Sequence, residues 1–291
     1  MFWRYILDSV TIGKSLNESN TLWRYMSIDK FIDLISNNSL FLTPLSFYSK
    51  TDPFEGHKPK VLFEAFMGAL SEPFKELEAK NQQLETLSVA KDDYDNIQRI
   101  KVKTAKFKEK LVPLSIKVSQ SPCVNCWYHS ESESEAMWKL YSDSGKGIAI
   151  KTSVSSLLSA INTCSQTIPL NLGKVKYLDF LSKELKAEDC FSDGITSPLL
   201  KRKEYAHEHE VRLYSTPQLN YVEWEIYKPK PMFVNVDISK LIEEIYISPY
   251  VSEPFDSSVY TLCDLFNIPK SKVIKSRLLE DYENVLDGFQ L

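Results

Sequence analysis

Between residues 201 and 214 the chain reads Lys-Arg-Lys-Glu-Tyr-Ala-His-Glu-His-Glu-Val-Arg-Leu-Tyr, its densest run of groups able to move protons or hold charge. From Glu208 to Tyr214 polar and apolar residues alternate, which predicts a strand, and residues two apart on a strand share a face. Glu208, Glu210, Arg212 and Tyr214 then line one side, while Val211 and Leu213 point to the core. Two carboxylates at neighbouring same-face positions sit about 6–7 Å apart at a rise of about 3.3 Å per residue. Such like charges raise one another's pKa unless a cation intervenes, and Arg212 is placed to do so. The pattern fits an acid–base pair, and it fits equally a solvated face laced with salt bridges.

Arg24 is the second candidate. It lies in an apolar run between Trp23 and Tyr25, so its stem is covered and its guanidinium needs a carboxylate or a bound anion. Glu55 or Glu210 would be the carboxylate. Asp52 and Glu55 flank a Pro-Phe turn, where loop carboxylates often serve function, although Asp52 is equally suited to organising the turn. Trp127, Trp138 and Tyr141 offer an aromatic wall, but Tyr141 stands at helical spacing from Met137, which favours core packing. Cys123 and Cys126 are a lone pair with no second Cys/His pair at zinc-ribbon spacing, so no metal site is expected. His207 and His209 are expected to be exposed rather than ligands. Gly145-Lys146-Gly147 lacks the upstream glycine and following hydroxyl of a phosphate loop, and no Gly-x-Ser-x-Gly elbow exists.

The elements that position these groups can be read from periodicity. Residues 22–26 predict a strand, and Ile28, Phe31, Leu34 and Ile35 the helix after it, capped by Ser27 and ended at Asn37-Asn38. Leu40-Phe41-Leu42 is a second strand. Residues 61–120 form a long, polar, helical insertion, with Leu84, Leu87, Tyr94, Ile97, Ile100, Phe107 and Leu111 as a sparse apolar stripe. Strands are expected at 123–127, 147–151, 175–178, 208–214, 232–236, 245–247 and 272–274. Helices are expected at 133–142, with Ser132 and Glu135 as a capping box, and at 154–161, 238–242 and 257–266. The expected fold class is mixed α/β (α+β): one domain over residues 1–291, with a single mixed, largely antiparallel sheet flanked by helices.

Composition bounds the function classes. Of 291 residues, 43% are hydrophobic and 25% charged, enough to bury a sizeable core. The 15 Tyr, 15 Phe and 5 Trp suit a pocket that stacks flat ligands, whereas 8 Gly argue against glycine-rich phosphate loops. A net charge of −4 gives no broad footprint for nucleic acid. Five cysteines, an N-terminus (Met1 to Tyr5) without the apolar core of a signal peptide, and no run of membrane-spanning length lead to the expectation of a cytoplasmic protein without membrane contact.

Several segments in order resemble the domain-of-unknown-function (DUF) family 2971, a bacterial family: Trp23-Arg24-Tyr25, Asp52-Pro53-Phe54-Glu55, Cys126-Trp127-Tyr128-His129, Glu135 to Tyr141, Gly147 to Ile150, and Glu208-x-Glu210-Val211-Arg212. The resemblance runs from about Leu22 to Leu278 and implies a relative, not a reaction. More distantly, Arg24, then Lys151-Thr152-Ser153, then Glu208-His209-Glu210 resemble the three NAD-site elements of ADP-ribosyltransferase-like toxins, with Lys151 in place of the first serine. That likeness implies NAD as the bound cofactor, and a toxin or phage-defence setting. In it Glu208 and Glu210 are catalytic, and Arg24, Tyr25, Trp127, Thr152, Ser153 and Arg212 bind the nucleotide. Asp52, Glu55, Trp138 and Tyr141 form a further polar group. Two alternatives stand beside it. One is a non-catalytic module that binds a nucleotide or a protein, assembling through the helical insertion. The other is a magnesium-dependent nuclease or phosphodiesterase using Asp52, Glu55, Glu208 and Glu210, with Lys201 or Lys203 against phosphate.

Overall fold

A computed structural model describes residues 10–86, 91–162, 164, 166 and 168–282. Met1 to Tyr5, Leu87 and the side chains of Leu84, Tyr94 and Ile97 lie outside the described residues, and with them most of the expected apolar stripe.

The chain opens with β1 (Thr11–Ile12) and β2 (Thr21–Ser27), then α1 (Ile28–Asn37) and β3 (Ser39–Pro44). α1 buries Phe31, Leu34 and Ile35, the face its spacing predicts, and Asn38 ends it in the left-handed conformation at φ 48°. Ser27 stands at its N-cap without a side-chain cap bond. Two long helices follow, α2 (Lys60–Thr86) and α3 (Lys91–Gln120). They run back along each other, with the rings of Phe74 and Phe107 5.4 Å apart and Lys108 paired to Glu78. Next come β4 (Cys123–His129), α4 (Glu135–Tyr141), β5 (Gly147–Ser153) and α5 (Val154–Asn162). The cap of α4 is Ser134, whose hydroxyl accepts from the Met137 amide. The helix is thus capped two residues after Ser132, and with Met137 three residues beyond the cap the expected Ser132–Glu135 box does not form.

The remaining elements are β6 (Asn171–Lys174), β7 (Lys176–Leu178), β8 (Leu200–Arg202), β9 (Glu210–Ser215), α6 (Tyr221–Ile226), β10 (Met232–Asn235), α7 (Ile238–Leu241), β11 (Glu244–Ile247), α8 (Phe255–Leu265) and β12 (Val273–Lys275). β9 begins two residues later than the alternation predicts. Lys203–Glu208 is a 3-10 helix, and His209 turns the chain at φ 38°, so Glu208 approaches the strand from a turn.

The fold is a mixed α/β one, with a large and mostly antiparallel sheet flanked by helices, as the alternation of periodicities predicts. Its order is β1-β6-β9-β4-β2-β5-β11-β12, and β7 pairs separately with β8. One face is largely apolar: Leu22, Met26, Trp127, Ile148, Ile150, Val211, Leu213, Ile245 and Ile247 meet α1, α5 and α8 in one core. No helix among the described residues is long and apolar enough to cross a membrane.

The sheet forks at β4. β2 stays paired with β5 over all seven residues, from Thr21↔Ser153 to Ser27↔Gly147, but it leaves β4 after Leu22↔His129 and Trp23↔Tyr128. β3 takes the same edge of β4 further on, at Thr43↔Val124 and Pro44↔Cys123, and carries β10 with it. Asn125, Cys126 and Trp127 thus lie in the crotch between two diverging limbs, held on their other edge by β9. A strand edge left open inside a protein must have its polar groups met some other way. Here Arg24 donates from Nη1 to the Cys126 carbonyl at 3.0 Å, and Asn125 donates from Nδ2 to the Phe41 carbonyl at 3.0 Å.

The course of β2 along β5 depends on Gly147. A Cβ there would stand 2.4 Å from the Met26 carbonyl oxygen and 2.6 Å from the Ser142 Cβ. Gly147→Ala is expected to destabilise the protein by roughly 2 kcal/mol or more, since backbone must shift to admit the methyl. Ile100→Ala, on an exposed face of α3, is expected to change stability by no more than about 0.5 kcal/mol. Urea unfolding of the two variants measures the contrast.

Candidate functional site

The fork encloses a cavity of about 890 Å³, at the upper end of the range for small-molecule pockets. β2 contributes Arg24 and Tyr25, β4 contributes Asn125 to Tyr128, and the loop after β3 brings Asp52 and Glu55. α4 contributes Tyr141 at the rim, and the segment from β8 into β9 contributes Lys201, Glu208, Glu210 and Arg212.

One wall is a buried ion network. Arg212 is 1% exposed. Its Nε donates to Glu210 Oε2 at 2.6 Å, and its Nη1 to Glu55 Oε1 at 2.8 Å and to the Pro198 carbonyl at 2.8 Å. Nη2 completes two forked pairs, at 3.2 Å to the second oxygen of each carboxylate. Lys201 Nζ donates to Glu210 Oε1 at 2.6 Å and to Glu208 Oε2, with Glu55 Oε2 3.6 Å away. The Tyr141 hydroxyl donates to Glu208 Oε1 at 2.8 Å, and the Tyr177 hydroxyl accepts from the Glu210 amide at 2.8 Å.

Three carboxylates therefore face two cations, and a buried cluster of that composition is neutral only when it also holds a proton. Glu208 is where the proton resides. Burial, with its hydrogen bond to Glu210 and the charge of Glu210, pushes its pKa up from 4.5 to about 7. Burial acts on Glu210 in the same sense, but Arg212 and Lys201 outweigh it and hold that carboxyl well below the ordinary range. The two neighbouring carboxyls are thus split into an ionised anchor and a group that titrates near neutrality, the usual condition for an acid–base residue.

The opposite wall is different in kind. Arg24 is half-buried, its guanidinium lies 5.7 Å from the Trp127 ring centroid, and no carboxylate among the described residues lies within ion-pair distance of it. Burial lowers its pKa, opposed only by the fields of Cys126 and Tyr48. The guanidinium remains a cation whose one hydrogen-bond partner among the described residues is the Cys126 carbonyl. Neither carboxylate expected for it serves: Glu55 and Glu210 are both bound to Arg212.

The other sequence expectations resolve residue by residue. The face of β9 is wholly buried, with Tyr214 5% exposed, so the reading of a solvated strand face is overturned. Asp52 does organise its turn, accepting from the Phe54 amide at 3.0 Å, and it also binds Arg202 at 2.7 Å. Tyr141 is half exposed at the cavity rim rather than packed in the core. Trp138 is the core residue, fully buried with its ring 4.9 Å from Tyr25 and its Nε1 donating to Glu133. Tyr25 lines the cavity, and its hydroxyl accepts from the Ser134 amide. Thr152 and Ser153 are not brought to the cavity. Thr152 is fully buried beside Leu22, and Ser153 donates to Glu243 at 2.6 Å. His207 and His209 are exposed. The sequence reading leaves out Asn125 and Cys126 and gives Lys201 only as a counter-charge to phosphate, because Lys201 reaches the carboxylates only after the chain turns between β8 and β9. The one signal was the lysine's place in the same charged run.

The raised pKa of Glu208 has a sign in stability. Between 4.5 and about 7 the folded state keeps a proton that the unfolded chain has released, so folding loses stability as pH rises through that window. Glu208→Gln imitates the protonated carboxyl and removes this dependence. Relative to wild type, the variant is expected to gain roughly 1–3 kcal/mol between pH 5 and pH 8. Thermal unfolding of both proteins across that range gives the difference.

Comparison with known proteins adds a partial relationship. A family model described as "Protein of unknown function (DUF2971)" matches residues 137–213. The match begins in α4 and ends in β9, so it takes in Tyr141, Lys201, Glu208, Glu210 and Arg212 and leaves out Arg24, Asp52, Glu55 and Trp127. No curated protein and no solved structure matches the chain, so the likeness to ADP-ribosyltransferase-like toxins gains no support there. Over the stretch that carries the acid–base wall of the cavity, the chain is similar to a family whose own activity is unassigned.

Proposed function

We propose that the forked sheet holds an anionic nucleotide, NAD being the first candidate, and that Glu208 exchanges a proton with it or with an attacking water. The observation that carries the reading is Arg24, a cation in the cavity wall without a carboxylate partner among the described residues, lying over an indole ring. A guanidinium so placed is a receptor for phosphate oxygens, and the aromatic side chains beside it suit a flat ring. A volume of about 890 Å³ accommodates a ligand of nucleotide size.

In this reading Glu208 is the acid–base residue and Glu210 the residue that positions it. With its pKa near 7, Glu208 is ionised in an appreciable fraction of molecules at neutral pH and can accept the proton of a nucleophile. Glu210, neutralised by Lys201 and Arg212, is less suited to stabilising a cationic sugar than the ADP-ribosyltransferase likeness implies. Thr152 and Ser153 have no part, which leaves the polar cradle to Arg24 and the aromatic residues. NAD chemistry therefore rests on two of the three resembling elements.

The same saturation of Glu210 favours a second reading, a nucleotide-binding module without turnover. The nuclease alternative has weaker footing, because Asp52, Glu55 and Glu210 are each already bound to a cation. Titration calorimetry with NAD⁺ and ADP-ribose is expected to give binding that weakens at least about tenfold in Arg24→Gln, the loss of one charge-assisted pair. Nicotinamide release that disappears in Glu208→Gln would establish the enzyme, and binding without release would establish the module. Equal affinity in wild type and Arg24→Gln would end both.

A further inference from the structure

Four buried side-chain atoms among the described residues lack a hydrogen-bond partner, and three of them belong to residues of the cavity wall: Asp52 Oδ2, Asn125 Oδ1 and Trp127 Nε1. The fourth, the Ser115 hydroxyl, lies on α3 away from the cavity. Buried polar atoms in folded proteins are almost always satisfied, so orphans gathered at one cavity point to what the cavity receives.

Asn125 and Trp127 are the informative pair. They stand two apart on β4 and so share a face, they flank the Cys126 carbonyl that holds Arg24, and each is 1% exposed. The Asn125 amide is oriented by its Nδ2 bond to the Phe41 carbonyl across the fork, which leaves Oδ1 as an acceptor. Trp127 Nε1 can only donate. The crotch of the fork therefore holds one unpartnered acceptor and one unpartnered donor, on residues that line the cavity next to Arg24.

We propose that Asn125 and Trp127 read the edge of a planar group that carries a hydrogen-bond acceptor beside an N–H donor, as a primary carboxamide or an amino-substituted azine ring does. The ligand's N–H donates to Asn125 Oδ1, its acceptor receives Trp127 Nε1–H, and Arg24 takes the anionic part of the same molecule. This rests on the reading of the cavity as a nucleotide receptor and adds to it which part of the ligand is recognised. A site with buried polar groups rejects an analogue that leaves them unpaired far more strongly than an apolar pocket rejects a misfit.

Two pairs of probes separate the sources of such an edge. NAD⁺ against its deamido analogue exchanges a carboxamide for a carboxylate, and ADP against the diphosphate of unsubstituted purine riboside removes the amino donor from the ring. Calorimetric affinities are expected to favour the amide or amino member of one pair by at least about tenfold. The pair that discriminates identifies the group. Asn125→Ala is expected to bring that preference below about threefold, whereas Trp127→Phe, which keeps an aromatic ring under Arg24, removes a donor that both members of the pair use and is expected to weaken both by at least about tenfold with the preference kept. Should Asn125→Ala fail to fold, Trp127→Phe decides alone.

Absence of discrimination in both pairs, or affinities unchanged in Trp127→Phe, overturns the assignment. If binding still weakens in Arg24→Gln under those outcomes, the receptor stands and only this assignment falls. If none of the four probes binds, both fall together. A crystal structure in which a water joins Asn125 Oδ1 to Trp127 Nε1 and stays there in the complex would likewise overturn it.

Discussion

The Arg212 guanidinium is the point on which the site depends. It is buried, and its five donors are divided between Glu55, Glu210 and the Pro198 carbonyl. An ion cluster so far from water contributes little net stability when complete, but removing one member leaves an uncompensated charge and costs about 3–5 kcal/mol. The three segments it joins come from the loop after β3, the turn before β8 and β9 itself, which are remote in sequence. Arg212 thereby fixes Glu210, Glu210 and Lys201 fix Glu208, and the electrostatic imbalance of the cluster sets the proton on Glu208.

The fork in the sheet supplies what that network alone would lack. If β2 had continued along β4 beyond Trp23, ladder hydrogen bonds would have closed the edge at Asn125 to Trp127 and no cavity would stand there. β2 instead follows β5, where Gly147 lets the two backbones approach, and β3 leaves with β10. The gap is bridged by side chains: one arginine and one asparagine replace the missing ladder. A cationic wall and a proton-holding acidic wall thus face a common space, and neither wall neutralises the other because Glu55 and Glu210 are already committed to Arg212.

Much of the architecture is legible in residue spacing, since local periodicity reports local structure. Phe31, Leu34 and Ile35 on α1, and Val211 and Leu213 on β9, point where their spacing predicts. The ends of elements are less legible. Alternation carried β9 back to Glu208, but His209 breaks the strand by adopting the left-handed region, a choice that alternation does not register. The site was legible as a set of residue types and not as pairings. Glu208, Glu210, Arg212, Glu55 and Arg24 all reach the cavity. Which carboxylate meets which cation depends on the fork, on Lys201 returning from β8, and on the loop after β3, none of which has a local signature. Tyr141 shows the same limit: its spacing from Met137 is helical, yet the face it takes is the cavity rim.

The measurement that bears most directly on the whole is a crystal structure of the protein grown with NAD⁺ or ADP-ribose. A phosphate oxygen within about 3 Å of the Arg24 guanidinium, with the rest of the ligand between β2 and β4, is the predicted result. A ligand bound elsewhere, or Arg24 turned to pair with a carboxylate of the chain, would contradict the account.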